Sequence, residues 1–131
     1  MGNSFFGLEV PFLDLLDARA EHCEEGRALV SLEVRPELTN SWKAAHGAVV
    51  MALLDAAMGM AARSANGQAG GVVTVEISVN FLRSAAGRLA AEGWVLHNGR
   101  SLVFCEGEVR DESGDLLAKA LGTFKLRHRK E

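Results

Sequence analysis

The chain has 131 residues, 48% apolar and 24% charged, the balance of one folded domain spanning 1–131 rather than of a disordered tail. Fourteen Lys and Arg against seventeen Asp and Glu leave a net charge of −3; residues 125–131 carry +3, so the remainder sums to −6. A body this acidic argues against DNA or RNA as partner, and the basic end reads as a solvated terminus.

No basic region precedes an apolar run at the start, so no secretory signal is expected and a cytoplasmic location is. Residues 11–16 can form a short helix, followed by a strand near 19–24. Cys23 and Cys105 sit in apolar stretches and read as small core residues, too few for a disulfide framework or a zinc site. After a turn at Glu25-Gly26, Ala28, Val30, Leu32 and Val34 alternate with Leu29, Ser31, Glu33 and Arg35, the period of a half-buried strand.

Residues 44–62 are the best-marked segment. Fifteen of the nineteen are apolar, the exceptions being His46, Gly47, Asp55 and Gly59. The run is nearly long enough to span a bilayer, but Asp55 at its centre would cost about 2.5–3.5 kcal/mol to insert. No membrane role is expected; a helix apolar on all sides belongs in a core.

Residues 66–71 are glycine-rich but lack the Gly-Lys-Ser/Thr ending of a phosphate loop, and read as a connection. Val73, Val75, Ile77, Val79 and Phe81 then alternate with Thr74, Glu76, Ser78, Asn80 and Leu82, which puts Thr74 on the polar face. Strands at 89–97 and 101–110 flank Asn98-Gly99, the signal for a type I′ hairpin turn. A second turn at 112–115 leads into a strand at 116–126. The order is strand pair, long helix, four-strand antiparallel meander. That order excludes a doubly wound parallel sheet and predicts an α+β sheet wrapped around one helix.

Asp55 is the first candidate for chemistry. A carboxylate amid apolar residues needs a reason, either a polar neighbour that fixes the helix or a role as base or nucleophile, its pKa raised by burial. Gly47 stands at the start of the helix, where free N–H groups favour an oxyanion and a missing side chain lets a carbonyl approach. His46 reads as a cap or loop-fixing residue before an acid–base group. Asn40 is either a turn residue after Pro36 or an amide that orients a thioester or water. The four histidines show no metal-ligand spacing.

The run Asn40-Ser-Trp-Lys-Ala-Ala-His46-Gly47-Ala48, followed by Leu53-Leu54-Asp55-Ala56-Ala57, resembles the signature of hotdog-fold acyl-CoA thioesterases of the phenylacetic-acid-degradation (PaaI-like) type. The similarity continues through 74–83, 97–101, 114–118 and 122–124. The resemblance implies an antiparallel sheet of five to six strands around one long buried helix. It implies Asp55 as base or nucleophile, Gly47 N–H as oxyanion donor, and Asn40, His46 and Thr74 as further site residues. Arg83 and the Gly99-Arg100-Ser101 corner would meet the phosphates of coenzyme A. No cofactor is implied. The resemblance also implies a homodimer with shared sites, pairing along 72–82, and a homotetramer as a dimer of dimers. Two departures bear on this: Ala48 replaces a second glycine and would narrow the site, and Ser84 replaces a proline. Hydratases of the same fold resemble a pattern with His five residues after the Asp, where this chain has Met60. The alternative is a non-catalytic acyl-CoA-binding module.

Overall fold

A computed structural model describes residues 5–67 and 70–127. The glycine-rich connection and the basic end are therefore covered only in part. In chain order the elements are α1 (Pro11–Leu16), β1 (Arg19–Glu24), β2 (Arg27–Glu33), a single 3₁₀ turn (Pro36–Leu38) and α2 (Gly47–Ser64). Four strands follow: β3 (Gly71–Phe81), β4 (Arg88–Asn98), β5 (Leu102–Arg110) and β6 (Leu116–Arg127). The six strands form one antiparallel sheet in the order β1-β2-β4-β5-β6-β3, with α2 against its inner face.

The four-strand meander is a misreading. β4, β5 and β6 follow one another, but β3 pairs with β6 at the far edge, while β4 pairs with β2. The reason lies in residues 82–87, too long and too firmly tied elsewhere to close a hairpin. Ala85 carbonyl accepts from Ala45 N–H and Gly87 carbonyl from Val34 N–H, both at 2.8 Å, which carries the chain across to β2. There the apolar faces Ala28, Val30, Leu32 and Leu89, Ala91 continue one another.

The hairpin turn also differs from expectation. Asn98 is the last residue of β4, and Gly99 does not have positive φ, so no type I′ turn forms at that pair. Gly99 N–H donates to the Leu102 carbonyl at 2.9 Å, and the reversal is made by Arg100 and Ser101. A Cβ at Gly99 would meet the Leu102 oxygen at 2.6 Å, so glycine is needed for close approach. The turn after β5 does form as read. Asp111 Oδ1 accepts from the N–H groups of Ser113 and Asp115, both at 3.0 Å, and Gly114 takes φ +88°.

Helix α2 is long and apolar enough to cross a membrane, yet eleven of its eighteen residues are buried within the fold. It is not apolar and covered on all sides: Ala48 and Met51 are exposed, and Ala52, Asp55 and Met60 half-buried. Its opposite side lies very close to the sheet. A Cβ at Gly93 would stand 2.6 Å from the α2 backbone at Ala57 and Met58. Gly107 and Gly122, on the neighbouring strands, leave room for the Met58 side chain. Replacing Gly93 by Ala must therefore displace backbone. We expect Gly93→Ala to lower stability by about 1–3 kcal/mol in urea unfolding, the range for overpacked cores; an unchanged midpoint would contradict so close an approach.

Candidate active site

The residues singled out in the sequence gather into two clefts. The first lies at the start of α2. Asn40 organises the loop before it: Oδ1 accepts from Trp42 N–H (2.8 Å) and Ala44 N–H (3.2 Å), and Asn40 N–H donates to the Ala44 carbonyl (2.8 Å). Lys43 takes φ +63° to close this tight loop. Asn40 is thus a turn residue as the sequence allowed, with only its Nδ2 left for a ligand among the described residues.

His46 is the N-cap of α2, its Nδ1 accepting from Ala48 N–H at 3.0 Å. Gly47 N–H, next to it in the first turn, has no partner among the described residues and borders a cleft of about 330 Å³. Phe81, Arg83 and Ser84 form its other side, and the Phe81 ring stands 3.5 Å from where a Gly47 Cβ would be. Ala48 is exposed and outside this lining, so its methyl does not narrow the cleft within one chain.

The second cleft, about 360 Å³, opens beside Asp55. Asp55 is half-buried rather than enclosed, and its Oδ1 accepts from Thr74 Oγ1–H at 2.6 Å. This contact overturns the reading of Thr74 as a polar-face residue. A β-bulge explains it: Thr74 pairs with Phe124 and Glu76 with Thr123, so Val75 has no partner in the ladder. The extra residue resets the alternation. Val72 and Thr74 point inward before it, Ile77, Val79 and Phe81 after it, while Val73 and Val75 are 43% and 57% exposed. The fully apolar face expected of this strand is thereby split between the two sides.

Gly47 and Asp55 are eight residues apart, about 12 Å along the helix axis, and they face different clefts. The basic residues are separated too. Arg83, in an exposed ion pair with Asp115 (3.5 Å), stands beyond the end of β3 at the Gly47 cleft. Arg100 and Ser101 lie at the other end of the sheet, where the Ser101 carbonyl accepts from Leu126 N–H. The length of β3, about 30 Å, separates them. Neither thiol is poised as a nucleophile: burial pushes Cys105 up to about 12 and raises Cys23 as well. Among the described residues, no group of three or more His, Cys, Asp or Glu could hold a metal ion.

The thioesterase superfamily matches residues 43–118, more than half of the chain, a span that includes Gly47, Asp55 and Thr74. A protein of Saccharolobus solfataricus named as a provisional esterase is 35% identical over 112 residues, which are 85% of this chain and 79% of that one. A conserved protein of Pseudomonas aeruginosa has a similar solved structure, with TM-score 0.85 and 32% identity over 89% of this chain and 94% of that one. The Escherichia coli PaaI protein from the phenylacetic acid degradation operon shares the fold, with TM-score 0.84, 22% identity, and coverage of 90% and 85%. The sheet around one helix is thus the hotdog architecture of the thioesterase superfamily.

The cap assigned to His46 is testable. His46→Ala is expected to cost about 1 kcal/mol of stability, and His46→Asn, which restores a capping oxygen, to recover most of it. Urea midpoints of the two variants check this. Equal losses would mean that His46 does something other than cap.

Proposed function

Because the chain belongs to the thioesterase superfamily, we propose that it hydrolyses acyl-CoA thioesters to free acid and CoA, in the manner of the phenylacetic-acid-degradation type. Asp55 takes a proton from water as the water oxygen bonds to the thioester carbon. Gly47 N–H stabilises the resulting oxyanion. The C–S bond then breaks, and the leaving thiolate recovers the proton from Asp55. Thr74 holds one carboxylate oxygen and leaves the other to face water. Direct attack by the carboxylate uses the same geometry.

One observation carries this reading: base and oxyanion donor open into separate clefts on one chain, and edge strand β3 borders both. Thr74 stands at the Asp55 cleft and Phe81 at the Gly47 cleft. In the proposed homodimer, β3 pairs antiparallel with its counterpart about an axis near Ile77 and Ser78. Phe81 of one protomer then lies opposite the partner's Thr74, and Gly47 of one protomer meets the partner's Asp55. The bulge matters here. Thr74 and Phe81 are seven residues apart, and only the extra residue puts both on the inner face.

The same pairing carries Arg83 alongside the partner's strand end, three strand spacings or about 14 Å from the partner's Arg100, where CoA phosphates could engage both. The convex face carries exposed Val73, Leu102, Phe104 and Leu121 on neighbouring strands, and a second dimer covering them gives the proposed tetramer.

Asp55→Asn is expected to lower kcat by at least about 100-fold with little change in KM. Near-normal turnover would return Asp55 to a structural role. The shared site is tested by mixing Asp55→Ala with Gly47→Pro, since proline removes the N–H yet is tolerated in a first helical turn. After subunit exchange half the dimers are mixed, each with one intact site, and about a quarter of wild-type activity returns. No recovery, with exchange confirmed by mass, would place the site within one chain.

A further inference from the structure

One wall of the Asp55 cleft is the N-terminal segment 5–13, which contributes Leu8, Val10 and Phe12 opposite Ala56, Gly59 and Met60 of α2. The segment begins with a tight reversal. Phe5 and Leu8 exchange two backbone hydrogen bonds (2.7 and 3.0 Å), and the residues between them, Phe6 and Gly7, have φ +52° and +85°. A phenylalanine adopts that left-handed conformation only when its surroundings hold it there. The Phe5 ring is buried, edge-on to Phe6 at 5.0 Å. The other hold is Arg63, whose Nη1 donates to the Phe6 carbonyl at 3.0 Å.

Arg63 is unusual in this core. It sits in the last turn of α2 at 8% exposure, has no carboxylate partner among the described residues, and leaves its Nε unpaired. A buried cation so poorly compensated is a costly way to fill space, which methionine or leucine would fill as well. Its one described hydrogen bond runs to the strained carbonyl of the reversal.

We propose that Arg63 is a positioning residue that clamps segment 5–13 over the Asp55 cleft, so that Leu8, Val10 and Phe12 set which acyl groups the cleft accepts. This rests on the reading of that cleft as the acyl site of a thioesterase. The class accepted follows from the lining. Asp55 and Thr74 are its polar side chains, and apolar helix surface extends from Asp55 to Met60, five residues or about 7.5 Å. That length suits an uncharged hexanoyl or phenylacetyl group. A cavity of about 150 Å³ already holds benzene, so a cleft of about 360 Å³ admits either. A dicarboxylic acyl group would bring a second carboxylate beside Asp55 with no cation among the described lining residues to receive it.

The test compares wild type, Arg63→Met, Arg63→Lys and Phe12→Ala on acetyl-, hexanoyl-, phenylacetyl-, decanoyl- and succinyl-CoA. Wild type should prefer hexanoyl or phenylacetyl over acetyl, decanoyl and succinyl. Arg63→Met should reduce the hexanoyl-to-acetyl ratio of kcat/KM by about tenfold, chiefly through KM, with partial rescue in Arg63→Lys. Phe12 is 56% exposed, so Phe12→Ala tests the wall without a core change and should move the preference toward decanoyl. Hydrogen exchange gives a readout independent of catalysis: the Phe5 and Leu8 amides should exchange faster in Arg63→Met, and hexanoate should protect them in wild type. Unchanged acyl preference in Phe12→Ala, or in a folded Arg63→Met whose amides exchange as in wild type, overturns the proposal. If wild type hydrolyses no acyl-CoA, the thioesterase reading falls and the clamp is judged by exchange: protection by hexanoate supports it, and its absence overturns it.

Discussion

The contact on which the rest of the molecule depends is the approach of α2 to the sheet at Gly93, where a single methyl group would overlap the helix backbone. Small residues on three adjacent strands set the depth of the helix, and Met58, filling the space over Gly107 and Gly122, sets its rotation. Once depth and rotation are fixed, so is the direction of every other side chain on α2. The buried face is assigned to the sheet, and the flank bearing Ala52, Asp55 and Met60 turns toward β3 and the N-terminal segment. The first turn, with Gly47, is left facing the loop after β3.

A second constraint acts on that geometry from β3. This strand lies at the edge of the sheet, and its outward hydrogen-bonding groups have no strand beside them among the described residues. Such an edge is open to pairing with another strand. The bulge at Val75 interrupts its ladder with β6 and aims Thr74 at Asp55. One irregular residue thus positions a hydroxyl on the candidate base and leaves Val73 and Val75 exposed. The outer surface toward the other edge is bound into itself. Trp94 lies between Arg27 and Lys119, and Lys119 bonds Glu108, whose carboxyl it holds below the usual range.

Much of this was legible because local rules governed it. Helix α1 begins where Pro11 allows a first turn, and β1 and β2 follow the turn at Glu25-Gly26. The turn after β5 forms because Asp111 and Gly114 have the chemistry it needs. The motif run from Asn40 to Asp55 pointed to one loop and one helix, and those elements carry the residues. Other features obeyed no local rule. Asn98-Gly99 has the composition of a type I′ turn, but the strand continued through Asn98 and the reversal moved to Arg100-Ser101. Arg63 falls just beyond the apolar run and offered no periodicity that marks it as buried.

The identity and number of the elements, the burial of the long helix and the chemical character of the residues around Asn40, Gly47 and Asp55 follow from the order of amino acids alone. Each of these depends on composition and spacing over a few turns of chain. Strand order emerged only from the packed fold, because the partner of β3 depends on where residues 82–87 are tied and not on the turn signals beside it. Only that fold decided the face of Thr74, because a bulge reverses alternation without changing a letter of the pattern. And only it separated Gly47 from Asp55 into two clefts, since neighbours in a motif can face different sides of one helix.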